Sequence, residues 1–216
     1  MPIDPALLER ADRLQAASRE QNRLIREGHL GRRGQKSDAY LATLDEWRDA
    51  YRAFHEPLTD LPARILRGGP SAVEQGIVYL ESAPRCHGSG YLAERVLHRL
   101  SRASLSNEQS TRCRAIVVQS LTHRQARGWN DMGALAGAVW TPTLARELSA
   151  RAATDPGMLN DVRLLVCRVA AWLESNGATL PMDGLTDEAR GEPRWPSPWG
   201  GRWRALWRGT RRGRSE

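Results

Sequence analysis

The chain has 216 residues, of which 40% are hydrophobic and 26% charged, with a formal charge of +7. That length suits one domain, or one domain and an appendage, and is enough to bury a real core. One phenylalanine and few alternating β-branched runs argue against a sheet protein, so the expectation is an all-α fold of about eight helices.

Other global features narrow the setting. Glu9, Arg10, Asp12 and Arg13 interrupt any apolar leader, and no run approaches the roughly 18 apolar residues of a membrane span. Cys86, Cys113 and Cys167 are odd in number and far apart, which suits free thiols in a reducing cytoplasm. Lys36 is the only lysine among many arginines, a bias that gene composition explains as well as phosphate recognition does. The charge is unevenly placed. From Arg190 to Glu216 there are eight arginines against Glu192 and Glu216, so nearly all the basic excess lies at the C-terminus.

Taken in order, residues 3–27 read as a long helix with Leu7, Ala11, Leu14, Ser18 and Ile25 on a diluted apolar stripe. Residues 28–37 form a basic, glycine-containing loop, with Arg32–Arg33 available to phosphate. Ser37 is placed to cap the next helix, which presents Tyr40, Leu41, Leu44, Trp47, Tyr51 and Phe54 inward and its charges outward. Pro57 ends it. A short helix is expected near Pro62–Arg67, and Ser71-Ala-Val-Glu74 looks like a capping box for a helix running to Pro84. Within that helix, Ile77–Leu80 is the one run that could also be a strand.

From Gly90 onward the helical pattern is strongest. Tyr91, Leu92, Val96, Leu97 and Leu100 share one face; Ser106-Asn-Glu-Gln109 is a second capping box, ahead of Cys113, Ile116, Val117, Ser120 and Leu121. Gly133 and Gly137, four residues apart, each cost about 1 kcal/mol against alanine in a helix, an expense that close backbone approach offsets. The apolar run around them, Met132 to Trp140, is too short for a membrane, so the expectation is tight packing in a core. Thr141–Pro142 starts the next helix, with Leu144, Ala145, Leu148 and Ala152 on one side; Asp155-Pro-Gly157 breaks it. Val162, Leu165, Val166, Val169, Ala170 and Leu173 then line another helix that stops before Asn176–Gly177.

Arg114-Ala-Ile-Val117 and Arg163-Leu-Leu-Val166 occupy like places in two such helix pairs. A helix, an Asp-Pro break, then Val-Arg and an apolar second helix resembles the helical-hairpin repeats of HEAT-type solenoids, over Gly90–Leu173 only. The resemblance implies stacked hairpins offering a rigid binding surface. Two units fall short of the three that a repeat array usually needs, so an irregular helical bundle stands beside it. The expected organisation is a helical body at 1–177, made of N-terminal helices (1–57) and a hairpin array (58–177). A Pro/Gly linker at 178–198 and a basic, Trp-rich tail at 199–216 follow, the last two forming an extended arm.

Four groups could carry chemistry. Cys86-His87-Gly88-Ser89-Gly90 offers a thiol and an imidazole for a metal or a nucleophile–base pair, and glycines for a phosphate. Against this, neighbouring side chains seldom converge, and the simpler reading is a loop that turns on its glycines and caps a helix with Ser89. Glu94 and His98 share a helix face but lack the spacing of a di-iron site; His98 reads as an exposed or capping histidine and Glu94 as a partner of Arg95 or Arg99. Asp45, Glu46 and Asp49 could be paired acids, but a solvated helix face explains them. No nucleotide-loop, zinc-protease or nucleophile-elbow spacing occurs, so neither cofactor, metal nor catalytic residue is expected.

The fourth group is the tail. Trp195, Trp199, Trp203 and Trp207 recur every fourth residue. In a helix capped by Ser197, Trp199, Trp203, Leu206 and Trp207 would fall on one arc, with Arg204, Arg208, Arg211 and Arg212 largely opposite. Such a segment can dock on the body, remain unfolded alone, lie on an anionic membrane, or grip phosphates while stacking bases. Trp199, Arg202, Trp203, Arg204, Trp207, Arg208, Arg211 and Arg212 are therefore the candidate partner-binding residues. The expected function is a non-enzymatic binding or adaptor protein engaging a protein partner. Nucleic-acid binding through the tail is the alternative, and an enzyme comes third.

Overall fold

A computed structural model of the chain describes residues 4–29, 36–122 and 129–193. Among them the protein is all-helical, with nine α-helices and no strand: α1 (Pro5–Arg26), α2 (Asp38–His55), α3 (Leu61–Leu66), α4 (Pro70–Ser82), α5 (Ser89–Leu100), α6 (Asn107–Thr122), α7 (Trp129–Ala138), α8 (Pro142–Thr154) and α9 (Leu159–Ser175). Ile77–Leu80 lies within α4, so the strand alternative falls away. No described helix is long and apolar enough to cross a membrane. The chain divides into two compact units, residues 1–96 and 97–216. That division falls inside α5.

In the first unit α1 packs along α2. Asp4 caps α1 by accepting the Leu7 amide (3.1 Å), and Ser37 caps α2 by accepting that of Tyr40 (3.2 Å). The buried line on α1 is Leu7, Ala11, Leu14, Ala17 and Leu24. Leu24, not Ile25, continues the stripe, because a helix of 3.6 residues per turn drifts over three turns; Ile25 stays 39% exposed. On α2 the buried residues are Tyr40, Ala50 and Phe54, while Leu41 is 42% exposed and Leu44, Trp47 and Tyr51 are half-buried. The buried line on α2 thus runs through Tyr40, Ala50 and Phe54, with α1 packed along the helix. α4 begins at Pro70 with Gly69 at its cap and no side chain capping it, so Ser71 is an exposed residue inside the helix and the expected capping box does not form. Pro70 explains this: it fits the first helical position and moves the start upstream of Ser71. Gly76 makes room for Ile65 and Val96, with a Cβ there falling 2.8 Å from Ile65 Cδ1.

The second unit is built around the contact of α7 with α9. A Cβ on Gly133 would collide with that of Arg168, and one on Gly137 would sit 2.5 Å from the Trp172 ring. Two glycines four apart thus meet two large residues four apart, the close packing expected of them. The capping box at α6 is reciprocal: the Ser106 amide donates to Gln109 Oε1 (3.0 Å), and the Gln109 amide donates to Ser106 Oγ (3.2 Å). Thr141 caps α8 through the Leu144 amide (3.2 Å), and Asp155 Oδ1 accepts from Gly157 (2.8 Å) in the break before α9. Leu144, Ala145, Leu148, Val162, Leu165, Val166 and Val169 are buried as the periodicity requires, whereas Leu173 is half-exposed near the end of α9. In α5, Leu92, Val96, Leu97 and Leu100 are buried but Tyr91, in the first turn, is 58% exposed.

Residues 178–193 differ from the linker their composition suggests. Leu180, Leu185, Ala189 and Pro193 are buried. The segment lies across the second unit: the Trp140 indole donates to Pro181 O (3.1 Å), the Thr186 amide to Ser149 Oγ (3.1 Å), and Arg163 Nε to Glu188 O (2.7 Å). Gly184, at φ 90°, presses on the Pro142 carbonyl, where no Cβ would fit. Proline and glycine here shape a fitted backbone instead of releasing it.

Candidate functional site

Cys86-His87-Gly88-Ser89-Gly90 is the richest cluster in the described residues, and it belongs to the first unit. Four buried or half-buried groups hold the loop. Ser89 Oγ donates to the Cys86 carbonyl (2.8 Å) and accepts the Cys86 amide (3.2 Å). The Tyr79 hydroxyl donates to Ser89 O (2.8 Å) from a buried position, and burial pushes its pKa up. Gly88, at φ 81°, accepts from the Tyr91 and Leu92 amides and so closes the first turn of α5. That work was assigned to Ser89 on sequence grounds; Ser89 instead bridges the loop to itself.

The fourth tie comes from α2. His55 Nε2 stands 2.9 Å from the His87 carbonyl. A carbonyl only accepts, so Nε2 carries the proton and His55 is fixed in one tautomer when neutral. Burial lowers the His55 pKa, against the opposing effect of that same hydrogen bond. A Cβ on Gly88 would lie 2.9 Å from the His55 ring, so glycine is needed there for space as well as for φ. Residues one turn apart on α2 extend the contact: Trp47 stacks on Tyr51 (centroids 5.1 Å, 29°), Tyr51 lies 4.2 Å from His55, and His87 meets the edge of Trp47 at 5.6 Å. The Trp47 indole N–H is spent on Ser18 Oγ of α1 (3.0 Å).

This arrangement suits anchoring better than catalysis. Burial, with a smaller contribution from the Asp12 carboxylate, raises the Cys86 thiol to about 11, against hydrogen bonds from Ser89 that lower it. Burial therefore disfavours the thiolate, the form in which a cysteine acts as a nucleophile. Among the described residues, no group of three or more His, Cys, Asp or Glu is placed to hold a metal ion. His55 is the member that sequence reasoning missed, since it lies 32 residues from His87. Its signal was the Trp47, Tyr51, His55 spacing along one edge of α2.

No protein-family model, curated protein or solved structure matches this chain.

The other candidates separate. In the second unit His98 Nδ1 lies 3.2 Å from Asp131 Oδ1, joining the end of α5 to the first turn of α7. This histidine was expected to be exposed or capping; it is instead half-exposed and tied to another helix. Among the described residues no ion pair joins Glu94 to Arg95 or Arg99. Asp45 pairs with Arg48 (3.0 Å) and Asp49 approaches Arg52 (3.9 Å), all well exposed, while Glu46 is exposed beside them. That is the solvated face anticipated. Trp199, Arg202, Trp203, Arg204, Trp207, Arg208, Arg211 and Arg212 lie outside the described residues, as do Trp195 and the Arg32–Arg33 pair.

Proposed function

We propose that this protein is a non-enzymatic adaptor, in which a helical body carries a basic, tryptophan-rich C-terminal segment that engages a protein partner. The observation that carries the reading is the concentration of charge and indole: almost all of the +7 excess and four of eight tryptophans lie from Arg190 onward. Two further points support it. The cluster with the most reactive residue types, around Cys86, is occupied with holding a loop. The order of helix, break and helix over Gly90–Leu173 supports a HEAT-like surface as the rigid part of such an adaptor. Three free cysteines favour a reducing compartment, the cytoplasm, with the basic segment able to bring the protein to an anionic surface.

Nucleic-acid binding is the second reading, supported by the same alternation of arginine with tryptophan, since arginine neutralises phosphate and indole stacks on bases. One set of titrations tests both. The intact chain, the variant with Arg204, Arg208, Arg211 and Arg212 changed to Gln, and the variant with Trp199→Ala and Trp203→Ala are compared. Each is titrated against a purified partner captured by the intact chain, against single-stranded and duplex oligonucleotides, and against anionic vesicles. The adaptor reading expects the purified partner to bind at physiological salt and both variants to weaken it at least about tenfold. Oligonucleotide binding whose salt dependence flattens in the arginine variant transfers the function to the second reading. Vesicle binding lost chiefly in the tryptophan variant points to a membrane surface instead.

A further inference from the structure

Residues 178–193 sit across the second unit in a way their composition hides. The segment has turns but no helix, yet it buries Leu180, Leu185 and Ala189 and is held at three separate places. Trp140, just past α7, donates to Pro181 O. Ser149 of α8 does double duty, donating to Gly184 O (3.4 Å) while accepting the Thr186 amide. Arg163 of α9 donates to Glu188 O, and its guanidinium covers Gly191 so closely that a Cβ there would fall 2.7 Å from Nη2. The segment also folds on itself: Arg190 Nη2 donates to Met182 O (3.0 Å), and the Arg190 amide to Thr186 O (3.0 Å).

Helices α8 and α9 and Trp140 just past α7 are thus joined through one irregular segment, by donors that reach its carbonyls and by Ser149, which also accepts from it. We infer that residues 178–193 are a latch that opens and closes together with α8 and α9 as one cooperative unit. The physical reason is reciprocal dependence. Lifting the segment would uncover Ser149, which is buried and exchanges two hydrogen bonds with it, and the apolar surface beneath Leu180, Leu185 and Ala189; the Trp140 and Arg163 bonds at the exposed edge would pass to water. Opening α8 from α9 would separate the three anchors, and the segment has no regular hydrogen-bonded structure of its own to survive on. The chain beyond Pro193 therefore continues from a segment that α8 and α9 hold. This inference does not depend on what that segment binds.

Amide hydrogen exchange on the full chain tests it. The amides of Leu185 and Arg190, bonded to Met182 O and Thr186 O, report the latch; those of Leu148 and Val166 report α8 and α9. The expected result is that the two groups share one opening, with protection equal within about an order of magnitude. Ser149→Ala should then speed all four by about tenfold, the factor that losing a hydrogen bond of ordinary worth gives. Gly184→Val, which forces a side chain against the Pro142 carbonyl, should speed all four further; if it does not fold, Ser149→Ala decides. Latch amides unprotected in the unaltered chain would overturn the inference. So would a variant in which Leu185 and Arg190 accelerate while Leu148 and Val166 keep their rates.

Discussion

The loop at residues 84–90 and the segment at 178–193 make an instructive pair. Each follows a helix, contains glycine at positive φ (Gly88 and Gly184), and is irregular, the first of them as far as Ser89, where α5 begins. Sequence reasoning treated them differently: the first was weighed as a site because it holds Cys and His and read more simply as a capping loop, the second was read as a linker because it holds Pro and Gly. In the structure both are packed pieces of their own unit. Each is held by side chains reaching its carbonyls, from Tyr79 and His55 in one case and from Trp140, Ser149 and Arg163 in the other. Irregular backbone must find partners for its polar groups wherever it is buried, and here those partners lie from 10 to 41 residues away in the chain. Residue type within the loop says little about whether this will happen.

The pair differs in how the load is divided, and the difference can be tested. The 178–193 segment buries several apolar side chains, whereas the 84–90 loop rests on hydrogen bonds and ring contacts. Removing the former should therefore have the largest effect. A chain ending at Gly177 is expected to lose at least about 3 kcal/mol, the scale of uncovering two buried leucines. A chain ending at Pro193 should lie within about 0.5 kcal/mol of the full chain. Denaturant unfolding compares them, and equal midpoints for the two shortened chains would return 178–193 to the status of a linker.

A smaller effect is expected in the loop. Gly88→Ala places a methyl group against the His55 ring at a backbone angle that L-residues avoid, and should cost roughly 1–2 kcal/mol. Unfolding of the full chain, followed by Trp47 fluorescence in a background where the other tryptophans are phenylalanine, reads it. No change would mean that the His55 contact is loose and the loop is held by Ser89 and Tyr79 alone.

The smallest effect is one of pH. Burial lowers the His55 pKa in the folded protein below the ordinary 6.5. The folded state therefore resists protonation more than the unfolded chain does. The stabilisation from neutral His55 is complete above pH 6.5 and falls away as the pH drops below it toward the depressed folded value. Unfolding at pH 7.5 and 5.5 should show this loss, and His55→Gln should reduce the pH dependence. The 178–193 anchors contain no histidine, so Ser149→Ala should leave the pH dependence unaltered. If it alters the profile as much as His55→Gln does, the assignment to His55 is wrong.

Much of the fold was legible because local rules carried it. Ser37, Thr141 and the Ser106–Gln109 pair cap helices as their side chains and spacing imply, since capping is decided within four residues. The apolar lines of α8 and α9 were equally readable from the 3.6-residue period, and the Gly133–Gly137 pair announced a close contact without naming its partner. The failures came where two local rules competed or where a face was broad. Pro70 took the first helical position and moved the cap from Ser71 to Gly69, so the Ser71 capping box does not form. On α2, six apolar residues spanned more than one face, and only tertiary packing selected Tyr40, Ala50 and Phe54 over Leu41.

The candidate site was less legible. The sequence supplied Cys86, His87 and Ser89 but not the environment that gives them roles. The raised thiol depends on burial and on Asp12, and the tautomer of His55 depends on a carbonyl 32 residues away. By itself, then, the sequence determined the all-α class, the main helix boundaries and their caps, and the basic, tryptophan-rich character of the C-terminus. These are properties of composition and of neighbours within one or two helical turns. Only the tertiary structure decided which glycines meet which helices, that 178–193 is packed, and that the Cys86 loop is a joint held by α2 and α4. Such outcomes turn on which distant donor reaches a given carbonyl and on how much water is excluded around it, and neither is encoded in any short window of residues.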